Sequence, residues 1–180
     1  MANATIIYAC TQDGLVILTK PGTLPEWLPP RRVLVGRHVV SVWGEPGPPI
    51  RVLAAADGEL LLSENGGRTW EAVKIGSAVT SASQMAMLAV PGAEGKPPAL
   101  VVVTVSGLAV SPDGGASWQA IELPQQGGVV ALARDPERRD RIYAATDTGY
   151  VFESGNRGQA WQQVNTAPLP SVSYLYVVRI

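Results

Sequence analysis

The 180-residue sequence predicts an all-β fold built from four repeats, and three regularities carry that prediction. Trp27, Trp70, Trp118 and Trp161 stand 43, 48 and 43 residues apart. A turn glycine (Gly14, Gly58, Gly107, Gly149) precedes each of them by 13, 12, 11 and 12 residues. Around these landmarks lie short apolar runs rich in Val, Ile, Leu and Ala, bounded by Gly, Pro, Asn and Asp, as strands are. Two landmarks that keep step four times mark an internal repeat. Four short strands per 40–50-residue repeat are the signature of β-propeller blades.

The strands follow in order within each repeat. A first strand is read at "VVSVWG" (39–44), "MAMLAV" (85–90) and "VVALAR" (129–134). The second strands are "TIIYACT", "IRVLAAA", "LVVVTV" and "RIYAAT", apolar and short enough to be buried on both faces. After the turn glycine come "LVILT", "ELLLS", "LAVS" and "YVFES". Behind each tryptophan lies a more polar run, suited to the wetter outer edge of a sheet: 27–35, 70–75, 118–123 and 161–165. The first repeat lacks its first strand, and "SVSYLYVVRI" (171–180) supplies a run of the same pattern. One domain is expected over 1–180, with blade one at 171–180 plus 4–35, blade two at 39–76, blade three at 85–123 and blade four at 129–165. A blade closed by a distant strand leaves fewer open edges. "PEWLPP" and "DPERRDR" are broken by proline or lack an apolar stripe, so no helix is expected.

Composition narrows the function classes. With 46% apolar and 16% charged residues, the chain is not a disordered one. A net charge of −1 leaves no basic footprint, so neither nucleic acid nor an anionic membrane is an expected partner. Cys10 is the single cysteine, which excludes an internal disulfide and a cysteine metal site; a buried strand thiol is expected. His38 is the single histidine, read as a solvated loop residue. No catalytic residue, metal or cofactor is assigned. The longest apolar run, 99–110, is too short for a bilayer and is interrupted by Ser106 and Gly107. No Lys or Arg precedes Lys20, so the start does not read as a signal peptide, and a cytoplasmic location is expected.

Three segments share a finer pattern: "SENGGRTW" (63–70), "SPDGGASW" (111–118) and "SGNRGQAW" (154–161). They resemble the Asp-box, or BNR, repeat of β-propellers, especially those of the sortilin and photosystem-assembly-factor types and of the sialidase superfamily. The first two match every fixed position, through Ser63, Asn65, Gly67, Thr69 and Trp70, and through Ser111, Asp113, Gly115, Ser117 and Trp118. The third keeps Ser154, Asn156, Gly158 and Trp161 but has Ala160 where a hydroxyl is expected. Blade one, with "KPGTLPEW", retains only the tryptophan. The resemblance implies a structural box on the periphery of the ring. Its Asx side chain accepts backbone N–H groups, its glycine adopts positive φ, and its tryptophan fills the gap between sheets.

A binding site is expected at the channel mouth, on the loops joining second to third strands and blade to blade. Asp13, Asp57 and Asp147 stand in "QDG", "ADG" and "DTG", where an acidic rim and a plain tight turn are alternative readings. Arg37, His38 and Gln84 join them from the blade connections, the longest of which is 74–85.

The function expected is a non-catalytic protein-interaction or scaffold propeller, with glycan or small-ligand binding as the alternative. A glycoside hydrolase fits less well, because no Arg-Ile-Pro motif occurs and four blades fall short of the six of a sialidase. The strand 171–180 can pair with residues 4–11 of its own chain, closing four blades. It can instead pair with those of a second chain, closing eight. The small residues of the second strands (Ala9, Cys10, Ala54, Ala55, Ala56, Ala144, Ala145) suit the shallow blade angles of the larger ring, so a homodimer is expected.

Overall fold

The structure, a computed structural model, describes residues 4–45, 50–75, 87–92, 96–124 and 127–178. All of its regular elements are strands. The first sheet holds β1 (Thr5–Thr11), β2 (Gly14–Lys20) and β3 (Arg31–Val33) in the order β1-β2-β3. The second holds β4 (Val39–Gly44), β5 (Val52–Ala56), β6 (Glu59–Ser63) and β7 (Glu71–Val73) in chain order. The third is β8 (Met87–Val90), β9 (Ala99–Thr104), β10 (Gly107–Ser111) and β11 (Gln119–Ile121). The fourth is β12 (Val129–Arg134), β13 (Ile142–Thr146), β14 (Val151–Ser154) and β15 (Gln162–Gln163). Each is an up-and-down meander, the architecture of a propeller blade.

The repeat extends to local detail. In β4 and β12 the ladder slips by one residue at the same place, between Val39 and Ser41 and between Val129 and Ala131. Such a bulge adds twist at the inner end of a sheet. The turns between second and third strands place Gly14, Gly58, Gly107 and Gly149 at positive φ. A side chain is excluded at Gly107 for a second reason, since a Cβ there would lie 2.6 Å from Ile121 O.

The chain divides into two compact units, residues 1–72 and 73–180. In the first, Leu15 and Ile17 of β2 pack with Val39, Ala54, Ala56 and Leu61 of the second sheet, flanked by Tyr8, Val33 and Trp70. In the second, Val101, Val103, Leu108 and Val110 of the third sheet pack with Val129, Leu132, Ile142 and Ala144 of the fourth, flanked by Trp161. Every residue of β5 and of β9 is buried. Strands flanked by protein on both faces carry apolar residues at every position, which is why these runs do not alternate.

One expectation, the buried Cys10, needs revision, and pairing of the terminal strand within its own chain is not seen among the described residues. The first sheet has three strands, with β1 at its edge, and residues 171–178 form no strand among the described residues. Cys10 lies on β1 as expected but is exposed, not buried. The reason is its position: β1 is an edge strand, whereas the corresponding Ala55, Val103 and Ala145 lie inside complete four-stranded sheets. No helix of the described residues is long and apolar enough to cross a membrane.

Candidate functional site

The three tryptophan hairpins share one hydrogen-bond scheme. Ser63, Ser111 and Ser154 end their strands fully or almost fully buried. Each hydroxyl donates to the Asx two residues on, at 3.0, 2.8 and 2.9 Å. Each also accepts the N–H of Gly67, Gly115 or Gly158, at 2.8, 2.7 and 2.8 Å. The Asx Oδ1 in turn accepts the N–H of Thr69, Ser117 or Ala160. The buried hydroxyl is therefore used twice, which a hydroxyl can do and no apolar side chain can. Ser154→Ala leaves the Gly158 N–H unpaired in the interior and is expected to cost about 1–3 kcal/mol, read as a lower urea midpoint.

The hairpins differ in their outer bonds. Asn65 Nδ2 donates to Thr69 Oγ1 at 2.7 Å, and Ser117 Oγ donates to Asp113 Oδ2 at 2.6 Å. Ala160 offers no such group. Trp118 Nε1 and Trp161 Nε1 donate to Gly115 O and Gly158 O, at 3.1 and 2.8 Å. Trp70 departs from this. Arg31 takes the equivalent Gly67 O through Nη1 at 3.0 Å and Gly66 O through Nη2 at 2.6 Å, and Trp70 Nε1 has no partner among the described residues. All three indoles are half-buried.

Asp113 also makes the fold pH-sensitive. Partial burial pushes its carboxyl up, but the Ser117 hydroxyl and N–H and the Ser111 hydroxyl outweigh that and hold it below the usual range. Asp57 is lowered too, chiefly by its bond from Arg37 and then by the His38 N–H. A carboxyl whose pKa falls on folding stabilises the fold in full above its unfolded value of about 3.9, and that contribution disappears as pH drops through the lowered value. The thermal midpoint is therefore expected to fall below about pH 4. Asp113→Asn, which supplies the amide found at Asn65 and Asn156, is expected to flatten part of that slope.

The described residues expected at a channel mouth are engaged in holding loops. Asp57 Oδ1 accepts the His38 N–H at 3.0 Å, and Oδ2 meets Arg37 Nε at 2.9 Å. Arg37 reaches on to Glu59 at 2.8 Å and to Ala56 O at 3.1 Å. Asp13 pairs with Arg32 at 2.8 Å and accepts the Gly36 N–H at 2.9 Å. In the second unit Asp147 accepts the Gly128 N–H at 3.0 Å. Asp57 and Asp147 thus do the same task, each latching a second-to-third-strand turn to the residue 19 positions upstream that enters the same sheet. The His38 side chain is exposed. Gln84, and most of the connection 74–85, lie outside the described residues. Among the described residues no group of three or more His, Cys, Asp or Glu is placed to hold a metal ion.

Sequence reasoning missed two arginines and a cleft. Arg157 Nη2 donates to Pro97 O at 3.0 Å, tying the fourth-sheet hairpin to the segment before β9, while its own φ is 62°. The signal was readable: Arg157 stands where Gly66 and Gly114 occupy the other hairpins, at the same left-handed φ. Arg31 gave no comparable sign. An open cleft of about 400 Å³ lies on the fourth sheet, lined by Arg141, Glu153, Gly155, Asn156, Trp161 and Gln162. Arg141 and Glu153 pair across it at 2.9 Å.

No family model and no curated protein matches the chain. Solved structures do. Over 91% of its length the chain is similar to an ancestral GH74 enzyme, at 18% identity and TM-score 0.64, covering 24% of that chain. Over 98% it is similar to BBS1N in complex with ARL6DN, at 18% identity and TM-score 0.59, covering 57% of that chain. Over 96% it is similar to YCF48 from Cyanidioschyzon merolae, at 15% identity and TM-score 0.52, covering 63% of that chain. The chain thus spans less than two thirds of each of these proteins. At such identities the likeness speaks for architecture alone, and that architecture is the β-propeller.

Proposed function

We propose that the chain is a non-catalytic propeller of the Asp-box type that serves as a protein-interaction or scaffold module. In this reading it assembles as a homodimeric ring of eight blades. One observation carries it: the first sheet stops at three strands, while 171–178 lies unpaired with Tyr174, Tyr176 and Val178 at 63%, 79% and 66% exposure. An edge strand presents a free row of N–H and C=O groups, and an added strand satisfies them. Asp13, Asp57 and Asp147 are each engaged in holding a loop, so they are not the groups offered to a partner. The BBS1N likeness, solved in complex with ARL6DN, agrees with an interaction role.

The test is a fluorescent peptide of residues 168–180 titrated into the chain ended at residue 170. Saturable anisotropy with this peptide, and none with a scrambled one, supports strand addition. Equal signals from both contradict it. Sustained turnover of a fluorogenic glycoside contradicts the non-catalytic part.

A further inference from the structure

The four ladders can be superposed position by position. Tyr8–Ile17, Val101–Val110 and Tyr143–Glu153 are cross-strand pairs at the same place in the first, third and fourth sheets. One residue along, and so on the opposite face, lie Ile7–Leu18, Val52–Ser63, Leu100–Ser111 and Ile142–Ser154. The first set marks a forward face and the second a backward face.

Both units join these faces in the same way. In the first unit the forward face, with Tyr8, Leu15 and Ile17, packs on Ala54, Ala56 and Leu61 of the next sheet. The next hairpin sits on top: a Cβ at Gly67 would lie 2.8 Å from Ile17 Cδ1. In the second unit Val101 and Val110 face Ile142 and Ala144, and a Cβ at Gly158 would lie 3.0 Å from Val101 Cγ2 and 3.3 Å from Val110 Cγ2. The rule is a forward face covered by the backward face and hairpin of the following sheet.

Two faces are less buried than their counterparts. On the backward face of the first sheet Ile7 is 44% exposed, and Val16 and Leu18 are half-buried. Their counterparts Val52, Leu100 and Ile142 are fully buried. On the forward face of the fourth sheet Tyr143, Val151 and Glu153 are half-buried, where Val101, Leu108 and Val110 are buried. The cleft lies on this same face. It is lined by Glu153 and Gln162, which pair in the ladder as Ile17 and Arg31 do. Ile17 and Arg31 are the residues that receive the Gly66–Gly67 hairpin in the first unit. Glu153 and Gln162 thus hold the ladder positions that receive a hairpin in the first unit.

We infer that these two faces join two copies of the chain: the fourth sheet of one copy, with its cleft, seats the first sheet and 20–27 hairpin of the other. The segment 171–178, which follows the fourth sheet, adds to β1 of that same second copy. Faces that carry Ile7, Val16 and Leu18 or Tyr143 and Val151, and that are less buried than the matching faces of a junction elsewhere in the molecule, mark an association surface. A two-fold axis makes the junction twice and leaves neither face open. The inference rests on the self-assembly reading above and specifies its contact surfaces.

Light scattering on four samples tests it: the intact chain, Ile7→Asp, Tyr143→Asp, and an equimolar mixture of the two variants. The intact chain is expected near 38 kDa, twice the 19.0 kDa of one copy, and each variant alone at half that mass. The mixture is expected to regain the doubled mass, because one of its two junctions carries neither substitution. Variants that merely unfold cannot give that recovery, and Leu18→Lys with Val151→Lys is the second pair if the first does not fold. An intact chain of 19.0 kDa overturns the assembly reading itself. An intact chain of doubled mass with variants that stay doubled, or a mixture that stays at single mass, keeps the assembly and overturns these faces.

Discussion

Phe152→Ala is expected to lower the unfolding free energy by about 3–5 kcal/mol, the largest loss from any single truncation in the fourth sheet. Phe152 is the only phenylalanine and the largest of the fully buried side chains. It lies opposite Ala144 on β13, and Ala109 holds the same ladder position on β10. Its ring therefore fills space that its small cross-strand neighbour cannot reclaim. The lost contacts and the remaining cavity both count against the variant. Denaturant unfolding measures the change, and a loss below about 1 kcal/mol contradicts the packing described here.

Gly158→Ala is expected to cost about 2–4 kcal/mol through two independent effects. Its φ of +91° lies in the left-handed region, where alanine loses about 1–2 kcal/mol. The new methyl would also stand 3.0 Å from Val101 Cγ2 and 3.3 Å from both Ile142 Cδ1 and Val110 Cγ2, and all three residues belong to an already packed core. Gly155→Ala is the control, because a Cβ there meets nothing within 4 Å. A similar loss in both variants would show that the close packing beneath Gly158 does not matter.

The strands were legible because their signals are local. The step between Gly14 and Trp27, repeated at 58–70, 107–118 and 149–161, placed third strands and hairpins close to where they lie. The bond of Asn65 to the Thr69 N–H and the positive φ of Gly67 follow from the same logic, since a short Asx side chain beside a positive-φ glycine folds on its own backbone, whereas the twice-used Ser63 hydroxyl gave no such sign. Less readable was anything that depends on a neighbouring sheet. That Arg31 would take the carbonyl left to the indole in the other two hairpins is a matter of reach between sheets, which spacing does not encode. Asp13 and Asp57 read as turn residues with a ligand rim as the alternative; only the geometry shows Arg32, Arg37 and the backbone already occupying them. Cys10 misled for a related reason. Its apolar setting reads as interior, but exposure on an edge strand depends on what lies beside it.

In the proposed assembly the first sheet is completed by the terminal segment of a second copy. The most direct measurement of this is the solution mass of the intact chain beside that of the chain ended at residue 170, at matched concentration. A mass near 38 kDa is expected for the intact chain and a single-copy mass for the shortened one, which stays folded because 171–178 joins no sheet of its own among the described residues. A single-copy mass of 19.0 kDa for the intact chain, or a doubled mass that survives the shortening, would contradict it.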